Sequence, residues 1–403
     1  MRNSSKDSIS LDLIGISGGY QGGATIFAYT LLSEFVKDEH HKYHVILPEN
    51  ERELYAELNS ITRKNVTFHY FKSNDNILFR LMYRIATRIF KNHHLLAQVQ
   101  RYRWKEAIEF IQNYSSSCLT MSAYISFPLK GVRHYCTLHD IQEKALPQFF
   151  SRKERSIRNI QVLNTLTNVT GIQVSSEFVR DEIIRYYPGE SRNIDFKVIP
   201  EGYSLSELES VGILKDKRAR PIRIIFPANY WPHKDHLTFL RAIASISDIF
   251  ELEIFCTGST FNKKKEIMQL LEELKVNNVE FTGYLTREEL IKLYQSSHIV
   301  ISCSMYESSS LPILEGSVLG CIPIASDIGP HREMAERLTI NLFECGNAWD
   351  LKRVLSEVIN GTEQQKDAIA IYNSKSVKEL SWQALVYKYL EFLDNDLIAR
   401  TAR

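Results

Sequence analysis

No two cysteines of this sequence stand as C-x-x-C. The six it has, Cys118, Cys136, Cys256, Cys303, Cys321 and Cys345, are scattered, several inside apolar strand-like runs, and no histidine cluster joins them at metal-ligand spacing. That argues against zinc modules and disulfide scaffolds, and reduced, mostly buried thiols of a cytoplasmic protein are expected. Charge of one sign is missing too: 49 Lys and Arg meet 48 Asp and Glu, a net charge of +1. A chain so balanced does not hold nucleic acid by its overall field, and any electrostatic partner must meet a local patch. No stretch of about 18 apolar residues offers a membrane span, and the N-terminal residues lack the apolar region of a secretory signal. No G-x-G-x-x-G follows a strand, which argues against a dinucleotide-dependent dehydrogenase. The single D-x-D, Asp394-Asn395-Asp396, closes the last helical pattern, where a solvated terminus is expected and not a metal site. Neither a metal nor a cofactor is expected.

What is present is length and alternation. A chain of 403 residues exceeds what one core usually serves, so two domains of roughly 200 residues are expected. Leu11–Ser17 reads as a buried strand, followed by a glycine-rich turn and an apolar-periodic helix from Ala24 to Val36. Strands follow at Tyr43–Leu47, Val66–Phe71, Tyr135–Leu138, Gly171–Ser175 and Phe196–Ile199, with Ser175 or Ser176 capping a helix Glu177–Tyr186. Pro200-Glu201-Gly202 marks a boundary and the charged run Lys215–Arg220 a linker or surface loop. The alternation then restarts, with strands Arg223–Pro227, Glu251–Thr257, Val279–Thr282, Ile299–Ser302 and Ile322–Ala325. Between them lie helices His236–Ser247, Lys263–Leu274, Arg287–Ser296 and Pro312–Leu319. The pattern predicts an α/β protein of two Rossmann-like doubly wound domains, 1–202 and 203–380, whose parallel sheets face a central cleft. Residues 381–403 form a terminal helix with an apolar stripe of Trp382, Leu385, Val386, Tyr389, Leu390 and Leu393.

The residues able to carry chemistry fall on loops after strands. Gly18-Gly19-Tyr20-Gln21-Gly22-Gly23 opens a helix, where small residues let the backbone approach a phosphate or sugar; a tight turn without ligand is the plain alternative. His139 and Asp140 end a strand, from which an imidazole reaches a hydroxyl or phosphate, or is simply a satisfied polar group. The segment Phe226 to His236 gathers Asn229, Trp231, His233, Lys234 and His236; Lys234 either neutralises a diphosphate or is a solvated lysine before a helix. The strongest pattern is Tyr306-Glu307-Ser308-Ser309-Ser310-Leu311-Pro312-Ile313-Leu314-Glu315. Glu307 precedes a helix, Pro312 suits its first turn, and the hydroxyls and N–H groups of Ser308 to Ser310 stand at an entrance that favours an anion. Glu307 and Glu315 are placed to grip hydroxyls at different points of one extended ligand; alternatively Ser310 is a cap and Glu315 a dipole-complementing acid.

At these residues the sequence resembles the family 4 retaining glycosyltransferases of GT-B fold, over almost the whole chain. The family's Glu-x7-Glu pattern, usually written E-G-F-G-L-P-x-x-E-A, stands here as Glu307-Ser-Ser-Ser-Leu-Pro-Ile-Leu-Glu315-Gly, followed by Gly320-Cys-Ile-Pro-Ile-Ala-Ser-Asp-Ile-Gly329. Its V-x-F-x-G turn is Val279-Glu-Phe-Thr-Gly283-Tyr284 and its serine-start helix Ser175-Ser176-Glu177. The resemblance implies an acceptor-side first domain, a donor-side second domain and a terminal helix that crosses back to the first. It implies that Glu307 holds sugar hydroxyls, Glu315 the ribose and Lys234 the diphosphate. His139 would line the sugar site, Gly22 and Gly23 approach the reacting phosphate or the acceptor, and Gly283, Tyr284 and Leu285 border the base. Two positions depart from the pattern: the arginine common five residues before the lysine is Asn229, and the loop glycines are serines. Phosphate contacts then fall to Ser309, Ser310 and Leu311 at the helix entrance. The segment W-P-H-K-(N/D)-H is similar to that of bacterial surface-polysaccharide mannosyltransferases, which favours GDP-mannose over a UDP-sugar as donor and a glycan or polyprenyl-linked acceptor.

The mechanism the resemblance implies is front-face attack with retention, the leaving diphosphate taking the acceptor's proton. A UDP-sugar-dependent transferase, a sugar-nucleotide epimerase of the same shape and a non-catalytic nucleotide-sugar-binding or scaffold protein stay open beside it. A last feature is the stretch Lys72 to Lys105, where Arg80, Arg84, Arg88 and Lys91 recur at helical spacing among Phe79, Met82, Ile85, Ile89 and Phe90, with Asp75 its only acid. Two readings stand: a helix lying peripherally on the anionic inner face of the plasma membrane, or one packing its apolar side on its own domain with solvated arginines.

Overall fold

The computed structural model describes residues 8–16, 23–50, 52, 63–204, 221–259 and 264–394. Gly22 with the rest of its turn from Ser17, Asp396, and the expected linker Lys215–Arg220 lie outside the described residues. The chain divides into two compact units, one of residues 1–200 with 382–403, the other of residues 201–381.

Unit one is built on seven parallel strands: β1 (Ser8–Asp12), β2 (Lys42–Pro48), β3 (Val66–Phe71), β4 (Ser115–Thr120), β5 (Arg133–Thr137), β6 (Gly171–Val174) and β7 (Asp195–Val198), in the order β3-β2-β1-β4-β5-β6-β7. β1 is buried along its whole length, as a central parallel strand covered on both faces must be. It ends sooner than the apolar run to Ser17 predicts. The Ile14 N–H donates to Asp12 Oδ1 at 3.0 Å and turns the chain, so Leu13 and Ile16 are buried from a turn and not from a strand. β4, Ser-Ser-Ser-Cys-Leu-Thr, is invisible to a search for apolar runs because its polar side chains pair inside the unit. The Ser10 and Ser115 hydroxyls meet at 2.7 Å, and the Thr120 hydroxyl donates to Asp12 Oδ2 at 2.9 Å.

The terminal helix Trp382–Leu393 belongs to this first unit, as a long return of the chain. Trp382 sets its edge on Phe27 (5.4 Å between ring centres), Tyr389 on Phe35 (6.0 Å), and Phe392 lies against Tyr135 (4.6 Å). Gly171 is needed where it stands, since a Cβ there would lie 2.8 Å from the Phe392 ring.

The basic stretch is not one helix. The helix Ile77–Arg84 passes into a π turn, Ile85–Ile89, in which the Phe90 N–H reaches back to the Ile85 carbonyl at 3.0 Å. Within it the Thr87 hydroxyl donates to the Tyr83 carbonyl at 2.7 Å, competing with the backbone ladder. Lys91, with φ of 48°, ends the run before the helix His93–Arg103. The apolar side chains therefore divide. Phe79 and Ala86 pack with Leu96, Val99 and Ile160, while Ile77, Leu78, Leu81, Ile89 and Phe90 stand exposed.

Unit two carries six parallel strands: β8 (Ile222–Pro227), β9 (Leu252–Thr257), β10 (Val279–Gly283), β11 (Ile299–Ser302), β12 (Ile322–Ser326) and β13 (Asn341–Phe343), in the order β10-β9-β8-β11-β12-β13. β13 has three residues, too few to show a period in sequence. The chain runs outward from β8 through β9 to β10 and returns to β8's other side as β11, so the order reverses between β8 and β11. In such sheets ligands settle outside the carboxyl ends of the strands at that reversal. Among the described residues no helix is long and apolar enough to cross a membrane.

Burial of the terminal helix gives a direct test. Leu385→Ala removes a fully buried side chain from the unit-one core and is expected to cost about 2–5 kcal/mol, read as a shifted urea midpoint. A chain ending after Ser381 should melt lower still; an unchanged melting temperature would contradict this packing.

Candidate functional site

The loop after β8 reaches the reversal point by a sharp corner. Pro232–Lys234 make one 3-10 turn, and Asp235 then adopts a left-handed conformation (φ 48°, ψ 54°) while its Oδ1 accepts the Thr238 N–H at 3.2 Å, capping the helix His236–Ala244. A non-glycine residue in that region is uncommon, and here the cap offsets its strain. The corner fixes the direction in which Lys234 leaves the chain. The loop after β11 is tied to it by the Met305 N–H, which donates to the His233 carbonyl at 2.7 Å.

These two loops bring Lys234 and Glu307 together. Lys234 Nζ donates to Glu307 Oε1 at 2.5 Å, and the Ser304 hydroxyl donates to the same oxygen at 2.6 Å. Both donors converge on Oε1, so Oε2 carries neither. The side chains are only 20% and 11% exposed. Burial pushes the Glu307 carboxyl up, but the charges of Lys234 and His233 and the two hydrogen bonds outweigh it and hold the group below the ordinary value of 4.5.

Behind Ser304 runs a chain of polar groups that the sequence did not reveal. The Ser326 hydroxyl donates to the Ser304 carbonyl at 2.5 Å, and His331 Nδ1 donates to the Ser326 carbonyl at 2.7 Å. His331 is fully buried, which lowers its pKa and keeps the ring neutral with the proton on Nδ1. The only signal for it was a histidine five residues past a strand end.

The helix Leu311–Val318 begins beside Glu307. Ser310 is fully buried at its entrance, but its hydroxyl makes no hydrogen bond, so it is no side-chain cap, and that expectation is corrected. Ser309 and Leu311 flank it, half-buried. Gly316 lets the helix lie against β11, since a Cβ there would stand 2.6 Å from Val300 Cγ1. Glu315 does not stand alone as a dipole-complementing acid: Arg287 Nη1 lies 2.7 Å from its Oε1. Arg287 was not among the expected site residues.

The loops after β8, β9 and β10 are joined through the backbone. The Gly258 N–H donates to the Gly283 carbonyl at 2.8 Å, and Gly258 (φ 127°) sits where a Cβ would meet the Ala228 carbonyl oxygen at 2.6 Å. Asn229, at the position of the family arginine, accepts the Ser259 N–H at 2.7 Å through Oδ1 and so holds these loops together. His236 is buried, stacks on Tyr230 at 4.7 Å and is lowered to about 4 by burial, a structural neutral ring. Tyr284 and Trp231 are exposed, and Gly283 (φ 72°) and half-buried Leu285 complete the β10 loop.

Two expected residues belong to unit one. His139 follows β5, half-buried and edge to face with Phe27 (4.9 Å between ring centres), and Gly23 begins the helix Gly23–Phe35. Beside His139, Arg158 bridges Asp140 and Glu143, each at 2.7 Å.

Two family profiles tile the chain, "Glycosyltransferase Family 4" over residues 21–207 and "Glycosyl transferases group 1" over residues 215–375. The O-antigen chain mannosyltransferase RfbU of Salmonella typhimurium is 23% identical over 280 residues, covering 68% of this chain and 72% of that protein. A glycosyltransferase from Rickettsia africae superposes with a TM-score of 0.69 at 18% identity, over 97% of this chain and 99% of that one. HepE of Anabaena, solved with UDP and glucose, superposes with a TM-score of 0.68 at 16% identity, over 96% of this chain and 99% of that one.

The shared oxygen of Glu307 has a measurable consequence. A carboxylate held below its unfolded pKa contributes stability that is present above about 4.5 and lost as pH falls through its folded value. Lys234→Met leaves that carboxylate nearly buried and unpaired, and is expected to destabilise unit two by about 1–3 kcal/mol at neutral pH. Adding Glu307→Gln should recover most of the loss, and the penalty of the single variant should shrink as pH falls toward 4. Urea unfolding of the three proteins at both pH values measures it.

Proposed function

The chain belongs to the family 4 glycosyltransferases of GT-B fold, and on that premise we propose that it moves mannose from GDP-mannose, with retention and without a metal ion, onto a glycan or polyprenyl-linked acceptor in surface-polysaccharide synthesis. The observation that carries this reading is the Lys234–Glu307 pair at the β8/β11 reversal, beside the entrance of the helix Leu311–Val318. The mannosyl donor is supported by the name of the Salmonella relative and by the Trp231-Pro-His-Lys-Asp-His236 segment. The UDP and glucose bound to HepE make UDP-sugars the donors to compare.

In this reading Glu307, fixed through Oε1, accepts sugar hydroxyls at Oε2, and Glu315 accepts ribose hydroxyls. Lys234 turns part of its charge to the diphosphate, joined by the N–H groups and hydroxyls of Ser309, Ser310 and Leu311 at the helix entrance. The buried Ser310 hydroxyl then gains the partner it otherwise lacks. The acceptor oxygen bonds to the anomeric carbon on the face the diphosphate leaves. The bond from that carbon to the phosphate oxygen breaks, and the acceptor's proton passes to the departing diphosphate. Lys234 and the helix dipole stabilise the charge that grows there.

Nucleoside diphosphate release from GDP-mannose and from UDP-sugars, with and without acceptor, tests the donor. Release that needs the acceptor is expected, with a product of unchanged anomeric configuration. Conversion of donor alone would favour an epimerase, and tight binding without release a scaffold. Glu307→Ala should lower turnover at least about tenfold, some 1.4 kcal/mol of barrier, in a protein that still folds; near wild-type turnover would remove Glu307 from the mechanism.

A lipid-linked acceptor also requires the enzyme to reach a membrane surface. Exposed Ile77, Leu78, Leu81, Ile89 and Phe90 share one surface segment with exposed Arg80, Arg84, Arg88 and Lys91, while Asp75 is paired with Arg103 at 2.7 Å. This apolar and cationic combination suits the anionic inner face of the plasma membrane, each cation adding about 1 kcal/mol near the surface. Co-sedimentation with anionic vesicles at low salt is expected, and not with neutral ones. Replacing Arg80, Arg84 and Arg88 together by Glu should abolish it; binding that survives would assign the contact elsewhere.

A further inference from the structure

We propose that Arg287 is a positioning residue for the nucleotide's ribose, its guanidinium holding Glu315 in the orientation in which that carboxylate accepts the ribose hydroxyls. The inference rests on the nucleotide-sugar reading above and adds to it a residue that neither the motif pattern nor the helix itself accounts for. Arg287 is the first residue of the helix Arg287–Ser296, whose entrance is otherwise furnished as helix physics prefers. Thr286 and Glu289 form a reciprocal capping box, and Glu288 lies in the same turn. A cation at that end opposes the helix dipole, so stability of the helix is no reason for an arginine there. What it gains is Glu315: Arg287 Nη1 stands 2.7 Å from Glu315 Oε1, with Arg287 39% and Glu315 12% exposed. The carboxylate has lost most of its water, and the guanidinium keeps part of its own.

The pair also joins two places that the sheet keeps apart. Arg287 follows the loop of β10 at the sheet edge, and Glu315 lies in the helix that follows β11, on the far side of β9 and β8. Lys234 secures Glu307 as a mobile point charge free to share itself with phosphate. Arg287 secures Glu315 through an Nη1–Oε1 contact from a planar guanidinium fork, a donor more fixed in direction than an ammonium, which suits a carboxylate that must hold a fixed angle. A long glutamate side chain left without that fork would sample several rotamers, and the hydrogen bonds it offers a pair of ribose hydroxyls would weaken. The buried Tyr294, about two turns along the same helix, lies in the field of the same two charges; its phenol is pushed far up, first by burial and then by Glu315.

The test is a coupling between residue and ribose. Affinities of GDP and UDP, and of their 2′,3′-dideoxy counterparts, are measured by calorimetry for the wild type, Arg287→Ala, Arg287→Lys and Glu315→Gln. In the wild type the dideoxy form of the preferred nucleotide should bind about tenfold or more weakly than the parent. In Arg287→Ala that ratio should collapse to within about threefold, with the dideoxy affinity itself unchanged, and Arg287→Lys should restore part of it. A purely structural role would weaken parent and analogue alike and leave the ratio intact. A full ratio in Arg287→Ala, alongside a lost ratio in Glu315→Gln, overturns the role of Arg287 and leaves the nucleotide reading standing. Absence of GDP and UDP binding in the wild type overturns both, whereas binding without discrimination against the dideoxy forms overturns the ribose roles of Glu315 and Arg287 and leaves nucleotide binding standing.

Discussion

A carboxylate that has lost most of its water, and whose one oxygen is shared by an ammonium and a hydroxyl, is the constraint around which the second unit is arranged. Lys234, with His233 and the Ser304 hydroxyl, holds Glu307 ionised there against its burial, and it does so from a loop that the Asp235 corner turns and the Met305–His233 backbone bond ties to the neighbouring one. The pair sits at the reversal of strand order, the place at which sheets of this kind receive their ligands. Without a ligand its charges cancel. A diphosphate arriving there would compete for the ammonium, while Ser304 retains its hold on the carboxylate. One set of contacts thus stabilises the empty site and is partly exchanged when a ligand enters.

The surroundings make that exchange possible without loosening the unit. Ser304 is braced by Ser326 and, behind it, by a buried neutral histidine, so the hydroxyl that steadies Glu307 is itself fixed. Gly316 brings the following helix into contact with β11, and Gly258 brings the β9 loop against the β8 loop, both at distances a Cβ would forbid. The first is an approach of helix backbone to a side chain and the second of backbone to backbone. Unit one applies the same economy to its own interior. Asp12, Thr120 and His134 form a buried polar line: burial raises the acid to about 6 and lowers the imidazole to about 3, so the ring is neutral, while the Ile14 N–H and the Thr120 hydroxyl satisfy the carboxylate.

Much of this was legible beforehand, and for a definite reason. Alternation of apolar runs with helical periods is a local signal, and it gave the parallel strands of both sheets wherever the strand was apolar. It failed at β4, whose serines satisfy one another across the sheet, and at β13, which is too short to carry a period. It overran β1 because Leu13 and Ile16 are as buried as strand residues although Asp12 has already turned the chain. The basic stretch from Arg80 to Lys91 kept its helical spacing in sequence, but the Thr87 hydroxyl and the π turn rotate the later residues off the earlier face.

For the site, spacing in one dimension named Glu307, Glu315, Lys234 and the serines between them, because loops that follow strands carry the groups that a sheet of this kind presents. Pairing is a different matter. That Lys234 meets Glu307, that Asn229 turns to Ser259, that Ser310 leaves its hydroxyl unpartnered and that Arg287 takes hold of Glu315 depend on which strands are neighbours and how closely their loops approach. Sequence by itself determined the class of fold, the order of its elements and the residue types at the strand ends, since each follows from local periodicity and motif. Only the tertiary structure decided which charges share an oxygen, because hydrogen bonds and ion pairs act over about 3 Å, a distance set by packing and not by separation along the chain.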